Sequence, residues 1–101
     1  LVLGDMAELG ADAQQMHDEI VSKAREAGIT ALYATGNYYE GAVSRFGKNG
    51  FWFKDKEDLA DALSGNLKGD EVVLVKGSRS AAMEKVVDQI LTQNKNKKRV
   101  N

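Results

Sequence analysis

Four short apolar runs, separated by stretches of helical periodicity, set the frame for this chain of 101 residues. Leu1-Val2-Leu3 ends at Gly4, and the β-rich TALYAT at 30–35 stops at Gly36-Asn37. Phe51-Trp52-Phe53 follows the turn signal Lys48-Asn49-Gly50, and the β-branched VVLV at 72–75 ends at Lys76-Gly77. None of these runs alternates with polar residues, which predicts parallel strands buried on both faces. Between them lie helices. Asp12 is placed to cap a helix over 12–27, where Met16, Ile20, Ala24 and Ala27 recur at helical spacing and Gly28 supplies a left-handed C-terminal position. A shorter helix is predicted over 37–46, ending at Gly47. A third covers 55–64, with Leu59, Ala62 and Leu63 on one side and Asp55 with Asp58 in a capping-box-like start. The last, over 80–93, carries Met83, Val86, Val87, Ile90 and Leu91 as a broad apolar stripe, read as core. The order β-α-β-α-β-α-β-α implies right-handed crossovers and an α/β domain, a mostly parallel sheet with helices on its faces.

Composition narrows what such a domain can do. Its 43% hydrophobic and 29% charged residues are ordinary for a globular chain, and the length suits one domain. With zero cysteines and one histidine, a disulfide framework, a thiolate or multi-histidine metal site and a cysteine nucleophile are excluded, and no metal site is expected. No apolar run nears the roughly 18–20 residues that span a bilayer. The charged n-region and apolar h-region of a signal peptide are missing as well, so the chain is expected to be cytosolic, without a membrane partner.

Fourteen basic residues face fifteen acidic ones, but Lys95, Lys97, Lys98 and Arg99 crowd into the last eight residues, where no acid occurs. The segment 94–101 is expected to be a basic disordered tail beyond a domain over 1–93. The rest of the chain is acidic and the tail has no interleaved aromatics, so no nucleic-acid partner is expected. The chain opens inside a strand with no polar lead-in, which fits a cut through a longer polypeptide.

Ligands of open α/β sheets collect outside the carboxyl ends of the strands. Three strand ends here carry glycine with polar residues: Gly4-Asp5, Gly36-Asn37 and Lys76-Gly77-Ser78-Arg79-Ser80. The last places free N–H groups, two hydroxyls and two cations at the start of a helix, a setting that attracts anions, and Arg79 suits a carboxylate. The alternative is a serine cap with solvated cations. Asp5 can accept from ribose hydroxyls or hold a cation, or it is a turn aspartate bonding its own backbone. His17, near the start of the first helix, is more often a structural hydrogen bonder than a base, and no serine or cysteine nucleophile pairs with it. GxxxxGK[ST] is absent, as is GxGxxG after any strand. The residues alone thus reach a small-anion-binding α/β module, and no reaction.

LGDMAELG at 3–10, followed by His17 on a helix, and VLVKGSRSAAMEKVV at 73–87 resemble the C-terminal domain of the Mur ligases over about 1–91. The resemblance implies a Rossmann-like three-layer domain, expected to lack its first segment. It also implies a role in an ATP-dependent ligase of peptidoglycan precursor synthesis. In such enzymes ATP phosphorylates the carboxylate of a UDP-linked peptide, and an incoming amine attacks the acyl phosphate. The KGSRS turn resembles that of a dipeptide-adding member. The implied partners are therefore D-alanyl-D-alanine, UDP-N-acetylmuramoyl-tripeptide and ATP, with Mg²⁺ and ATP held mainly by a central P-loop domain that these residues do not contain. A sibling adding a single amino acid is the alternative. Asp5 matches the aspartate that bonds the nucleotide ribose, and Lys76, Gly77, Ser78, Arg79 and Ser80 match the position that receives the incoming amino component. Asn37 and Tyr38 correspond by topology alone to a place where a sibling reads its amino acid. His17 matches a histidine implied to order the LGDMAELG loop near the phosphates. No catalytic residue is expected in this segment, which alone should be inactive.

Overall fold

The computed structural model describes residues 1–6, 10–69, 71–77 and 81–99. Four strands, β1 (Val2–Leu3), β2 (Leu32–Thr35), β3 (Gly50–Phe53) and β4 (Val75–Lys76), form one sheet in the order β3-β2-β1-β4. All three pairings are parallel, with Val2 opposite Tyr33 and Val75, and Ala34 opposite Trp52. The helices are α1 (Ala13–Glu26), α2 (Tyr39–Ala42), α3 (Lys56–Asn66) and α4 (Glu84–Arg99). This is the alternating, doubly covered α/β architecture that the run-and-helix pattern predicts.

Side-chain alternation on the two central strands splits the core in two. Val2 and Tyr33 pack with Leu59, Ala60 and Leu63 of α3 and Val86 and Ile90 of α4. Leu3, Leu32 and Ala34 point the other way, onto Val21 and Ala24 of α1 and Tyr39 and Ala42 of α2. Every residue of β1 and β2 is buried, as a strand covered on both faces must be.

Several local expectations are corrected. Within VVLV only Val75 is in a strand; Val72 is 96% exposed and Leu74 is 52% exposed. The reason is position: β4 lies at the sheet edge, so Val75, and Val73 just before it, meet the α3–α4 core while Leu74 between them is left exposed. Asp12 does not cap α1 with its side chain, because a 3₁₀ turn over Gly10–Asp12 leads the chain into the helix already wound (φ −92°, ψ 8°). Asp55 adopts the extended geometry of a cap, yet its carboxylate makes no capping bond either. The helix predicted over 37–46 is one turn of α2 continued by a 3₁₀ turn, Val43–Arg45. Gly28 and Gly47 do take the left-handed conformations expected at those helix ends. The last helix begins at Glu84 rather than 80, behind Ala82 at φ +52°, and its backbone continues past Gln93 to Arg99.

Candidate functional site

The connections β1–β2 and β2–β3 run one way along the sheet and the crossover from β3 to β4 runs back past β2 and β1, so the direction reverses between β1 and β4. Crevices of α/β sheets open at such a switch, beyond the carboxyl ends of the strands. A cleft of about 320 Å³ lies there. Asp5 reaches it from β1, Thr35 and Gly36 from β2, Lys54 through Glu57 from β3 and the start of α3, and Ala81 from the segment after β4. All four strand ends contribute.

Asp5 is anchored across the sheet. Its Oδ2 accepts from the backbone N–H of Asn37 at 3.2 Å, which ties the end of β1 to the end of β2. The side chain is 33% exposed, but Oδ1 is buried and accepts no hydrogen bond from the described residues. Gly36 makes this approach feasible. A Cβ there would stand 2.3 Å from the Asp5 carboxyl carbon, and its φ of +110° lies where side chains rarely go. Gly36 O in turn accepts from Trp52 Nε1 at 2.8 Å, and Thr35 Oγ1 donates to Lys54 O at 3.4 Å.

Behind Asp5 sits His17, fully buried. Its Nδ1 lies 2.5 Å from Ala13 O, and its Nε2 accepts from the Met6 N–H at 3.0 Å. Tyr38 stacks on the ring at 4.6 Å and Tyr39 meets it edge-on at 4.7 Å. Of the two residues after β2, Asn37 thus contributes its backbone and Tyr38 a ring, and both are exposed at the surface beside Asp5. Tyr39 is buried with a hydroxyl that has no hydrogen-bond partner among the described residues. Burial, with the Asp5 charge adding to it, pushes that phenol up to about 12.

The β4 end is built differently. Lys76 is exposed, and its carbonyl accepts from the Gly4 N–H at 2.8 Å. Met83 wedges under the turn: a Cβ on Gly77 would stand 2.8 Å from Met83 Cγ, and one on Gly4 would stand 2.6 Å from its sulfur. Ser78, Arg79 and Ser80, assigned to the acceptor from the sequence, lie outside the described residues. Lys56 Nζ donates to Ala81 O at 2.9 Å, bracing the point where the chain re-enters the core.

Lys54, Lys56 and Glu57 were missed by the sequence reading. The signal was present: Lys54-Asp55-Lys56-Glu57 directly follows Phe53, a strand end that carries charge but lacks the glycine by which the other three were recognised. Among the described residues no three histidine, aspartate or glutamate side chains converge where an ion could be held. Among them, too, no helix is long and apolar enough to cross a membrane.

Comparison with known proteins places this geometry in a family. The model of the family described as "Mur ligase, glutamate ligase domain" matches residues 1–79. UDP-N-acetylmuramoyl-tripeptide–D-alanyl-D-alanine ligase of Escherichia coli (strain K12) is 43% identical over 89 residues, 86% of this chain and 20% of that protein. The proteins of the same name from Buchnera aphidicola (36% over 99 residues; 96% of this chain, 22% of the relative) and Rickettsia prowazekii (33% over 91 residues; 86% and 20%) are similar too. The chain spans about a fifth of the length of these relatives. With four parallel strands, a cleft at their carboxyl ends and a family match over most of its length, the chain belongs to the Mur ligase family through its glutamate ligase domain.

Proposed function

We propose that this chain is the C-terminal, nucleotide- and acceptor-contacting domain of an ATP-dependent ligase that joins D-alanyl-D-alanine to UDP-N-acetylmuramoyl-tripeptide, a cytoplasmic step of peptidoglycan precursor synthesis. The observation that carries the reading is Asp5. It is a carboxylate fixed at the rim of the switch-point cleft, in a chain whose relatives bear that enzyme's name. Oδ2 has a lone pair to spare for a ribose hydroxyl once Asn37 has taken the other. The acceptor belongs at the β4 end, where Lys76, Gly77, Ser78, Arg79 and Ser80 offer cations, hydroxyls and backbone N–H groups to the carboxylate of the dipeptide. Asn37 and Tyr38, which follow the cleft residue Gly36 and lie beside Asp5, are secondary contacts.

The chemistry divides between domains. An acyl phosphate is readily lost to water, so activation should wait until the amine is bound and the site is closed. A domain that carries the acceptor and closes on the ATPase domain aligns amine and acyl carbon as it excludes water. The amine nitrogen then forms the new C–N bond, the C–O bond to phosphate breaks, and inorganic phosphate leaves. This segment brings no P-loop, so it should show no turnover by itself.

The test follows phosphate release by the full-length polypeptide that carries this sequence, given ATP, Mg²⁺ and the UDP-linked tripeptide, while D-alanyl-D-alanine is titrated. Saturable dependence on the dipeptide, with single amino acids inert, is the expected result. Release driven by a single amino acid would transfer the assignment to a sibling ligase. No release with any acceptor would leave a small-anion-binding module.

A further inference from the structure

His17 is the one histidine of the chain and is entirely buried, yet both its ring nitrogens are committed. A carbonyl oxygen can only accept, so the contact with Ala13 O requires hydrogen on Nδ1. A backbone N–H can only donate, so the contact from Met6 requires a bare lone pair on Nε2. The two partners together select the neutral Nδ1–H tautomer and fix the plane of the ring. Tyr38 and Tyr39 close on that ring from two sides, one stacked and one edge-on.

The bond to Met6 runs between α1 and the segment just beyond β1, and Met6 is the neighbour of Asp5. Asp5 Oδ1 lies 3.9 Å from His17 Nε2, too far for a hydrogen bond, and among the described residues it has no donor. Nε2 therefore has two claimants, a backbone donor and a carboxylate, and its lone pair serves the donor. With the Met6 N–H held, the Asp5 carboxylate turns its other oxygen to Asn37 and the cleft. If Nε2 carried hydrogen it would repel the Met6 N–H and attract Oδ1, drawing the carboxylate back into the core.

We infer that His17 is a positioning residue for the nucleotide: its bare Nε2 pins the Met6 backbone and so sets the direction in which Asp5 meets the ligand. This rests on the proposed role of Asp5. It departs from a packing role, because what matters is one lone pair and not the ring that surrounds it.

Two substitutions in the full-length polypeptide separate these readings. His17→Phe keeps an aromatic ring between the two tyrosines and removes the acceptor. His17→Gln removes the ring and places an amide oxygen at the reach of Nε2. The Phe variant should raise KM for ATP by about tenfold, the scale of one part-buried donor left unpaired, with KM for D-alanyl-D-alanine little changed. The Gln variant should restore most of it. The reverse order, Phe mild and Gln severe, would overturn the inference in favour of packing. The tautomer is read directly from the ring ¹⁵N and ¹H signals of His17, assigned by their loss in His17→Gln. Hydrogen on Nδ1 alone is expected, and hydrogen on Nε2 in the folded protein would refute the clasp. Asp5→Asn tests the underlying reading separately: an unchanged KM for ATP there would remove the nucleotide from this corner, while the tautomer would still report on the clasp.

Discussion

Two ends of the same sheet edge are built by opposite means. At the ends of β1 and β2, Asp5, Asn37, His17, Met6 and Trp52 are cross-linked by hydrogen bonds between elements 11 to 32 residues apart, and the strands behind them are buried. At the end of β4 an edge strand of two residues runs into an exposed lysine and a glycine, braced by the Met83 side chain and the Lys56 ammonium. The first corner is fixed by directional bonds and tolerates little displacement. The second is fixed by flexible side chains, which can follow a shift. Under the proposed function, in which the domain holds a nucleotide in register and delivers a second substrate, such a division is useful.

The sharpest way to break this contrast is to add one carbon to each corner. Gly36→Ala meets the Asp5 carboxylate, which could swing aside only by giving up its bond to Asn37, on a backbone with φ +110° that moving Asp5 does not relieve. It should cost about 3 kcal/mol or more in urea denaturation. Gly77→Ala meets Met83, an unbranched side chain that can turn aside, and should cost about 1 kcal/mol. Equal losses would mean that the two corners are equally rigid.

The next effect is on substrates. Asp5→Ala should raise KM for ATP by about tenfold or more and spare the dipeptide, since a hydrogen bond to a charged group is worth roughly 1.5–3 kcal/mol. Arg79→Ala should do the converse in the same phosphate-release assay. Equal losses for both substrates in either variant would point to a closure or folding defect shared by the two corners.

How far the sequence could be read follows the same division. The alternation of runs and helices was legible because each element buries its own apolar side chains, and periodicity reports burial. Asp5 was legible as a candidate because it follows a strand directly, but its bond to Asn37, 32 residues away, has no local signature. Nor has the commitment of both His17 nitrogens, since Ala13 lies one turn back on the same helix but Met6 comes from a different element. VVLV was misread for a related reason: a β-branched run states that a strand can form, and only the strand order tells that this one lies at an edge. Lys54 and Lys56 failed because the search for turn residues passed over a charged run, while the fold brings that run to the cleft.

Tyr39 offers a test of the buried corner that needs no substrate. Its phenol is raised to about 12 by burial first and the Asp5 charge second, against an ordinary value of about 10. Below the ordinary value both folded and unfolded chains hold the proton, and the group contributes no pH dependence. Above it the unfolded chain ionises first, so folding stability should fall as pH rises from about 10 to about 12, by roughly 2 kcal/mol in all. Tyr39→Phe should abolish that slope. It should cost little at neutral pH, because the hydroxyl it deletes has no hydrogen-bond partner among the described residues. A slope that survives in the Phe variant would assign it to another group.

The smallest effect is expected at the β4 edge. Leu74 is 52% exposed, and no helix packs on its face among the described residues. Leu74→Lys should therefore shift stability by no more than about 0.5 kcal/mol, as surface changes do, and a lysine there also discourages edge-to-edge pairing. Val2→Ala is its counterpart at the centre of the sheet, where removing two methyl groups from a side chain 1% exposed should cost about 2 kcal/mol. The pair is most informative when measured in both the 101-residue chain and the full-length polypeptide. If Leu74→Lys is mild in both, the softness of the β4 corner is a property of the working enzyme. If it is mild in the segment and costs several kcal/mol in the full-length protein, the rest of the polypeptide covers this face. The contrast between the corners would then be one that assembly removes.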